Sequence, residues 1–172
     1  MEVEVKFRLR DGVEEKVAEI AEFVVEKYEK DLYFNHPCRD FRISDEALRI
    51  REDVEGIKLT YKGAKVDNET KSREEINVPI GSFEEAKDML IRLGFKPVAV
   101  VEKKRKIYKV GKSGVIICVD DVKGVGRFIE LEIESDSIND KEILFAIAKK
   151  LGYRRDESIR KSYLEMMMSD GV

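Results

Sequence analysis

Glu2-Val3-Glu4-Val5-Lys6-Phe7-Arg8-Leu9-Arg10 alternates charged and apolar residues without a break. A period of two sends successive side chains to opposite faces of a strand, so 2–10 reads as a strand with Val3, Val5, Phe7 and Leu9 on one side and Glu2, Glu4, Lys6 and Arg8 on the other. The same sorting recurs down the chain. Residues 127–135 set Ile129, Leu131 and Ile133 against Phe128, Glu130, Glu132 and Glu134. Arg49 and Arg51 oppose Leu48 and Ile50, while Lys58, Thr60 and Lys62 oppose Leu59 and Tyr61. Lys103 and Arg105 alternate with neighbours of the other parity, and Arg73 and Glu75 add to the ionic set.

Between these stretches the pattern changes period. Asp11 and Glu14 resemble a capping box, and Val17, Ile20, Ala21, Val24 and Tyr28 recur at helical spacing, which predicts a helix through about residue 29. Short β-like segments follow near 31–35, 40–44, 46–53, 56–63 and 71–79, separated by turn formers such as Asn35-His36-Pro37 and Val66-Asp67-Asn68. Ser82 with Glu85 opens a second helix that ends at Gly94. Strands return at 97–110, 114–121 and 127–135, a helix over 140–151 stops at Gly152, and a short amphipathic tail spans 159–168. This order predicts an α+β fold for 1–172 as one domain, with a weak two-fold repeat of its halves.

Composition narrows the function classes. The 172 residues carry 33 Lys+Arg against 36 Asp+Glu, a formal net charge of −3, which argues against a surface that grips nucleic acid throughout. No run approaches the roughly 20 apolar residues of a membrane span, so the expected setting is cytoplasmic, with no membrane partner. Cys38 and Cys118 form no CxxC pair and support neither a disulfide scaffold nor a cysteine zinc site. The chain contains no Gln and abundant Lys, Arg and Glu, a balance found in proteins from hot environments.

The ionic faces need a purpose. An antiparallel sheet covered by helices on one side leaves a solvated, polar side, and that plain reading accounts for the alternation. Against it, a strongly twisted sheet of this size curls or closes, and then the ionic face lines an interior where charge must be compensated. The signs are also sorted. Glu2 with Glu4 and Glu130 with Glu132 form two i, i+2 carboxylate pairs, with Asp120 on the strand before the second. Two carboxylates about 4 Å apart repel by roughly 4 kcal/mol at an effective dielectric near 20, so their convergence calls for a cation. Oxygen donors without His or Cys favour Mg²⁺ or Mn²⁺. The remaining positions, Lys6, Arg49, Arg51, Lys58, Lys62, Arg73, Lys103 and Arg105, are basic, as a polyphosphate requires.

Glu2-x-Glu4-x-Lys6 is similar to the ExExK signature of the CYTH superfamily, the triphosphate tunnel metalloenzymes that include class IV adenylyl cyclases, thiamine triphosphatases and inorganic triphosphatases. The likeness continues in order through Asp31-Leu-Tyr-Phe34, Ala47-Leu-Arg-Ile-Arg51, Leu59-Thr-Tyr-Lys-Gly63, Arg73-Glu-Glu75, Lys103-Lys-Arg105, Asp120-Asp-Val122, Gly126-Arg-Phe-Ile-Glu-Leu-Glu132 and Ser162-Tyr163. It implies an eight-stranded antiparallel β-barrel with helices outside, whose tunnel binds a triphosphate: ATP, tripolyphosphate or thiamine triphosphate. By motif position Glu2, Glu4, Asp120, Glu130 and Glu132 would hold the metal. Lys6, Arg49, Arg51, Lys58, Lys62, Arg73, Lys103 and Arg105 would contact phosphates, and Glu2, Glu4 and Lys6 would form the catalytic group. The class IV adenylyl cyclases are the subgroup most resembled. In-line attack by a ribose 3′-hydroxyl on the α-phosphorus gives cyclic AMP and pyrophosphate, whereas attack by water gives a triphosphatase; a polyphosphate or nucleotide sensor would bind without turnover. The family also accommodates a homodimer.

Other signals read as structure. Gly111-Lys112-Ser113-Gly114 lacks the first glycine of a phosphate-binding loop, because Lys106 stands there, and is expected to be a hairpin turn, as is Gly124-Val125-Gly126. His36 beside Pro37 has no catalytic partners in view, Cys118 fills space, and Met166, Met167 and Met168 pack the tail. Alternation sends only half of Lys103, Lys104, Arg105 and Lys106 to one face, which weakens a nucleic-acid patch there.

Overall fold

A computed structural model describes residues 1–170, and the alternating stretches form one curled antiparallel sheet of eight strands with helices outside it. The strands are β1 (Glu2–Arg8), β2 (Glu22–Asn35), β3 (Ala47–Asp53), β4 (Gly56–Lys62), β5 (Glu75–Ile80), β6 (Lys96–Lys109), β7 (Ile116–Val122) and β8 (Gly126–Glu134). The helices are α1 (Val13–Ile20), α2 (Phe41–Ser44), α3 (Phe83–Arg92), α4 (Lys141–Lys150) and α5 (Tyr163–Asp170). No helix is long and apolar enough to cross a membrane among the described residues.

Across the sheet the order is β1, β8, β7, β6, β2, β3, β4, β5. Exchanging β1 with β5, β2 with β6, β3 with β7 and β4 with β8 reverses that order onto itself, so two strand-helix-three-strand halves meet across the long β2–β6 ladder. The outer strands are joined at one end. Residues 71–73, just before β5, run along the free edge of β1: Glu2 N and Arg73 N each donate to the other's carbonyl at 3.2 and 3.1 Å, and Lys71 N donates to Glu4 O at 3.0 Å. This strap turns the curled sheet into a tunnel.

The apolar parity faces outward under helices. Val3, Val5, Phe7, Ile117, Val119, Ile129 and Leu131 pack against Val13 and Val17 of α1 and Leu144, Phe145 and Ala148 of α4. Leu32, Phe34 and Ile50 meet Leu90 of α3. A third cluster, Tyr33, Val101, Val122 and Phe128 with Tyr163 and Met166, sits where α5 covers the tunnel. Each such side chain contributes roughly 1.5–3 kcal/mol by leaving water.

Four sequence expectations are corrected. The first helix stops at Ile20, and 22–29 belong to β2, whose Val24 and Tyr28 sit at helical spacing yet lie on an uncovered outer face, 46% and 49% exposed. Nor is α1 capped by Asp11; its N-cap is Gly12 at φ 83°, with no side-chain cap. Segment 40–44 is the short helix α2, opened by Asp40, whose carboxylate accepts from Arg42 N at 3.0 Å and so satisfies an otherwise orphan donor. Segment 71–79 is divided: 71–73 pair with β1, and only Glu75–Ile80 pair with β4. The discounted glycines are turn residues. Gly124, at φ 75°, and Gly126, at φ 138°, let β7 reverse into β8, backbone values that side chains resist. His36 packs its ring against Phe41 and Phe95.

Phe7 is fully buried and stacks on Tyr153 with ring centroids 4.7 Å apart. Phe7→Ala should therefore lower unfolding free energy by about 3–5 kcal/mol in urea denaturation.

Candidate active site

The ionic parity lines a cavity of about 730 Å³, within the roughly 300–1,000 Å³ of sites that enclose ligands of drug size. Its wall falls into three regions. In the first, Glu2 and Glu4 from β1 meet Glu132, which pairs in register with Glu4 on β8. One carboxylate oxygen from each lies within 4.8 Å of the others. Burial, then the charges of Glu2 and Glu4, hold the Glu132 carboxyl well above the ordinary carboxylate range, although Arg105 opposes them. Burial and Glu130 push Glu4 up to about 7 against the pull of Lys71. These three oxygen donors, whose repulsion Lys62 at Glu2 and Lys71 at Glu4 relieve only in part and which leave Glu132 without an ion pair among the described residues, fit a hard divalent cation such as Mg²⁺ or Mn²⁺.

The second region is a chain of ion pairs beside the first. Lys71 Nζ lies 2.9 Å from Glu4 Oε2 and 2.8 Å from Glu130 Oε2. Arg105 donates to Asp120 Oδ1 and Oδ2 at 2.7 and 2.6 Å and to Glu130 Oε1 at 2.5 Å. The Tyr163 hydroxyl donates to Asp120 Oδ2 at 2.6 Å. Asp120 and Lys6 share the inward parity of the cavity residues but lie behind its wall. Lys6 Nζ donates to the Lys161 carbonyl and sits 4.2 Å from the centroid of the Tyr163 ring. Burial, with Lys71 nearby, pulls the Lys6 ammonium down to about 6. Thus the structure brings Glu2, Glu4 and Glu132 together, joins Glu130 to them through Lys71, and sets Asp120 and Lys6 under the segment that leads into α5.

The third region is basic. Asp31 accepts from Arg51 Nε and Nη2 at 2.7 and 2.8 Å and from Lys103 Nζ at 3.2 Å. Glu29 lies 3.4 Å from both Arg51 and Lys103. Despite burial, Arg105 and Arg51 hold the Glu29 carboxyl, and Lys103 and Arg51 the Asp31 carboxyl, below the usual range. A guanidinium has five N–H donors, so Arg51 held from behind still presents donors to the cavity. Arg49 is looser: its Nη1 is 4.0 Å from Asp31 Oδ2, and its Nε is buried with no partner. Arg73 is held only through the carbonyls of Asp45 and Gly63, at 3.5 and 3.4 Å, and neither it nor Lys58 has a carboxylate partner among the described residues. Lys62 joins the acidic and basic regions, 3.4 Å from Glu2 and 3.1 Å from Glu75.

Sequence reasoning missed Lys27, Glu29, Asp53 and Lys71 as part of this wall, and gave Asp31 no role. The signal for the first two was present, since Lys27, Glu29, Asp31 and Tyr33 alternate as a strand requires, but the helical reading of 22–29 hid it. Lys71 shares parity with Arg73 and Glu75 and was readable in the same way.

Asp31→Asn leaves Arg51 and Lys103 without their main counter-charge and should lower stability by about 3–5 kcal/mol at pH 7. Because its folded pKa is depressed, Asp31 stabilises the fold above the ordinary Asp range, and this contribution fades as pH falls below it. The gap between the two proteins in chemical denaturation should therefore narrow below about pH 4.

Comparison with known proteins agrees with this geometry. The CYTH domain model matches residues 1–163. A Methanocaldococcus jannaschii protein provisionally named an adenylate cyclase is 42% identical over 173 residues, covering 96% of this chain and 98% of the relative. Adenylate cyclase CyaB of Aeromonas hydrophila is 34% identical over 142 residues, 78% of this chain and 70% of that one. A solved structure from Pyrococcus horikoshii superposes with a TM-score of 0.91 at 42% identity, covering 99% of both chains. With strand order, tunnel and family model all in agreement, the chain belongs to the CYTH domain family.

Proposed function

We propose that the chain is a divalent-cation-dependent enzyme on a triphosphate substrate, and that its reaction is the conversion of ATP to cyclic AMP and pyrophosphate. The observation that carries this reading is the junction at Lys62, where a three-carboxylate cluster adjoins cations whose donors are not all spent. Sorted charge of this kind suits a ligand that is itself a string of anions partly covered by metal. The adenylate cyclase names of the two curated relatives favour cyclisation over hydrolysis.

In this reading Arg49, Arg73, Lys58 and Lys62 bind phosphate oxygens and hold the chain of phosphates along the tunnel. Arg51, Lys103 and Arg105, anchored by Glu29, Asp31 and Asp120, present preorganised positive charge to the negative charge that develops on the oxygens of the reacting phosphate. Glu2, Glu4 and Glu132 would hold Mg²⁺ or Mn²⁺, which supplies Lewis acidity toward phosphate oxygens when bound. The enclosing strands exclude bulk water and fix the geometry of attack. No residue need form a covalent intermediate.

Purified protein incubated with ATP and, separately, with tripolyphosphate, each with Mg²⁺ or Mn²⁺, should yield cyclic AMP and pyrophosphate from ATP. Orthophosphate as the main product would replace the cyclase reading with a triphosphatase, and tight binding without turnover would leave a sensor. Glu4→Gln should lose at least about 100-fold in metal-dependent kcat while keeping a parent-like circular dichroism spectrum; retained activity would remove Glu4 from the site.

A further inference from the structure

We propose that Lys71 stands where a second cation would otherwise sit, so that the ligand-free chain holds a single divalent ion, at Glu2, Glu4 and Glu132. This rests on the metal assignment proposed above and specifies its stoichiometry. A pair of ions in a phosphoryl-transfer site lies roughly 3.5–4 Å apart and needs carboxylates free to bridge them. Here the acids that would complete a second position are already engaged. Glu130 gives Oε2 to Lys71 at 2.8 Å and Oε1 to Arg105 at 2.5 Å. Asp120 gives both oxygens to Arg105, and Oδ2 also to Tyr163. Glu4 yields Oε2 to Lys71 at 2.9 Å and keeps its other oxygen.

Lys71 is not a surface side chain that happens to reach inward. It is 8% exposed, and its own backbone belongs to the strap that closes the tunnel, with Lys71 N on Glu4 O at 3.0 Å. Ser72 Oγ accepts from Glu4 N at 3.1 Å, fixing the strap against β1. The ammonium is thus delivered by the fold to a place between the Glu4 and Glu130 carboxylates, tethered covalently to the strap. Like charge then opposes a divalent ion at that place, while Glu132, the cross-strand partner of Glu4 and two residues along β8 from Glu130, has no such ammonium within ion-pairing distance among the described residues.

The test counts ions on the ligand-free protein. Titration with Mn²⁺ at pH 8, reading unbound ion by electron paramagnetic resonance, should saturate at one per chain, and Glu132→Gln should weaken that site at least tenfold. Lys71→Gln, neutral yet able to hydrogen-bond both carboxylates, should raise the count from one to two, and Lys71→Arg should leave it at one. Two ions on the parent protein would overturn the inference and leave the proposed function standing, as would a Lys71→Gln variant that still binds one. A parent that binds no Mn²⁺ would instead refute the metal assignment beneath it. The parent count needs no variant, so it decides the stoichiometry even if Lys71→Gln fails to fold.

Discussion

A charge taken out of water is stable only beside its opposite, and the interior of this molecule is built to that constraint. The inner parity of the sheet carries acids and bases in alternating company. Asp31 lies under Arg51 and Lys103, Asp53 under Lys27, Glu130 between Lys71 and Arg105. Each pair fixes a long side chain that would otherwise sweep many rotamers, so the wall presents its remaining donors in set directions. The place where compensation is incomplete, at Glu132 beside Glu2 and Glu4, is where a cation has something to gain by binding. Ion pairs and site are thus one electrostatic arrangement, satisfied along most of its length and left partly unsatisfied at one end.

Much of this was legible in the alternation. Glu2 to Arg10 and residues 127–135 showed two-faced strands directly, because one face is oil and the other ions, and curling of a large twisted sheet placed the ions inside. The helix-capping Ser82 also read correctly: its hydroxyl accepts from Glu85 N at 3.2 Å. What failed had local causes. Val24 and Tyr28 supplied a false helical period, since the outer face of β2 is bare there and its apolar residues report no burial. Phe41 alone is buried in α2, too few positions to reveal a period in four residues.

Depth was the other hidden quantity. Parity correctly sent Lys6 and Asp120 inward, yet whether an inward group meets the void or is spent on a neighbour depends on residues on other elements, from Arg105 beside Asp120 to the segment after Ile159. The segment from Ile159 to Tyr163 crosses that part of the tunnel, with Ile159 N on Lys6 O, the Lys161 carbonyl on the Lys6 ammonium and the Tyr163 hydroxyl on Asp120. No local pattern in the first ten residues encodes that cover.

The adjacency of the first and last strands bears on how the chain is made. β1 is made with Val3, Val5 and Phe7 on one edge-exposed ribbon, but its ladder partner β8 follows more than a hundred residues later. Until then the nascent ribbon is an unpaired, apolar template of the kind that seeks other chains. Pairing β1 with β8 across that separation also carries a high contact order, which slows folding. The charges interleaved at Glu2, Glu4, Lys6 and Arg8 therefore serve the chain before any tunnel exists, keeping the waiting strand soluble during translation.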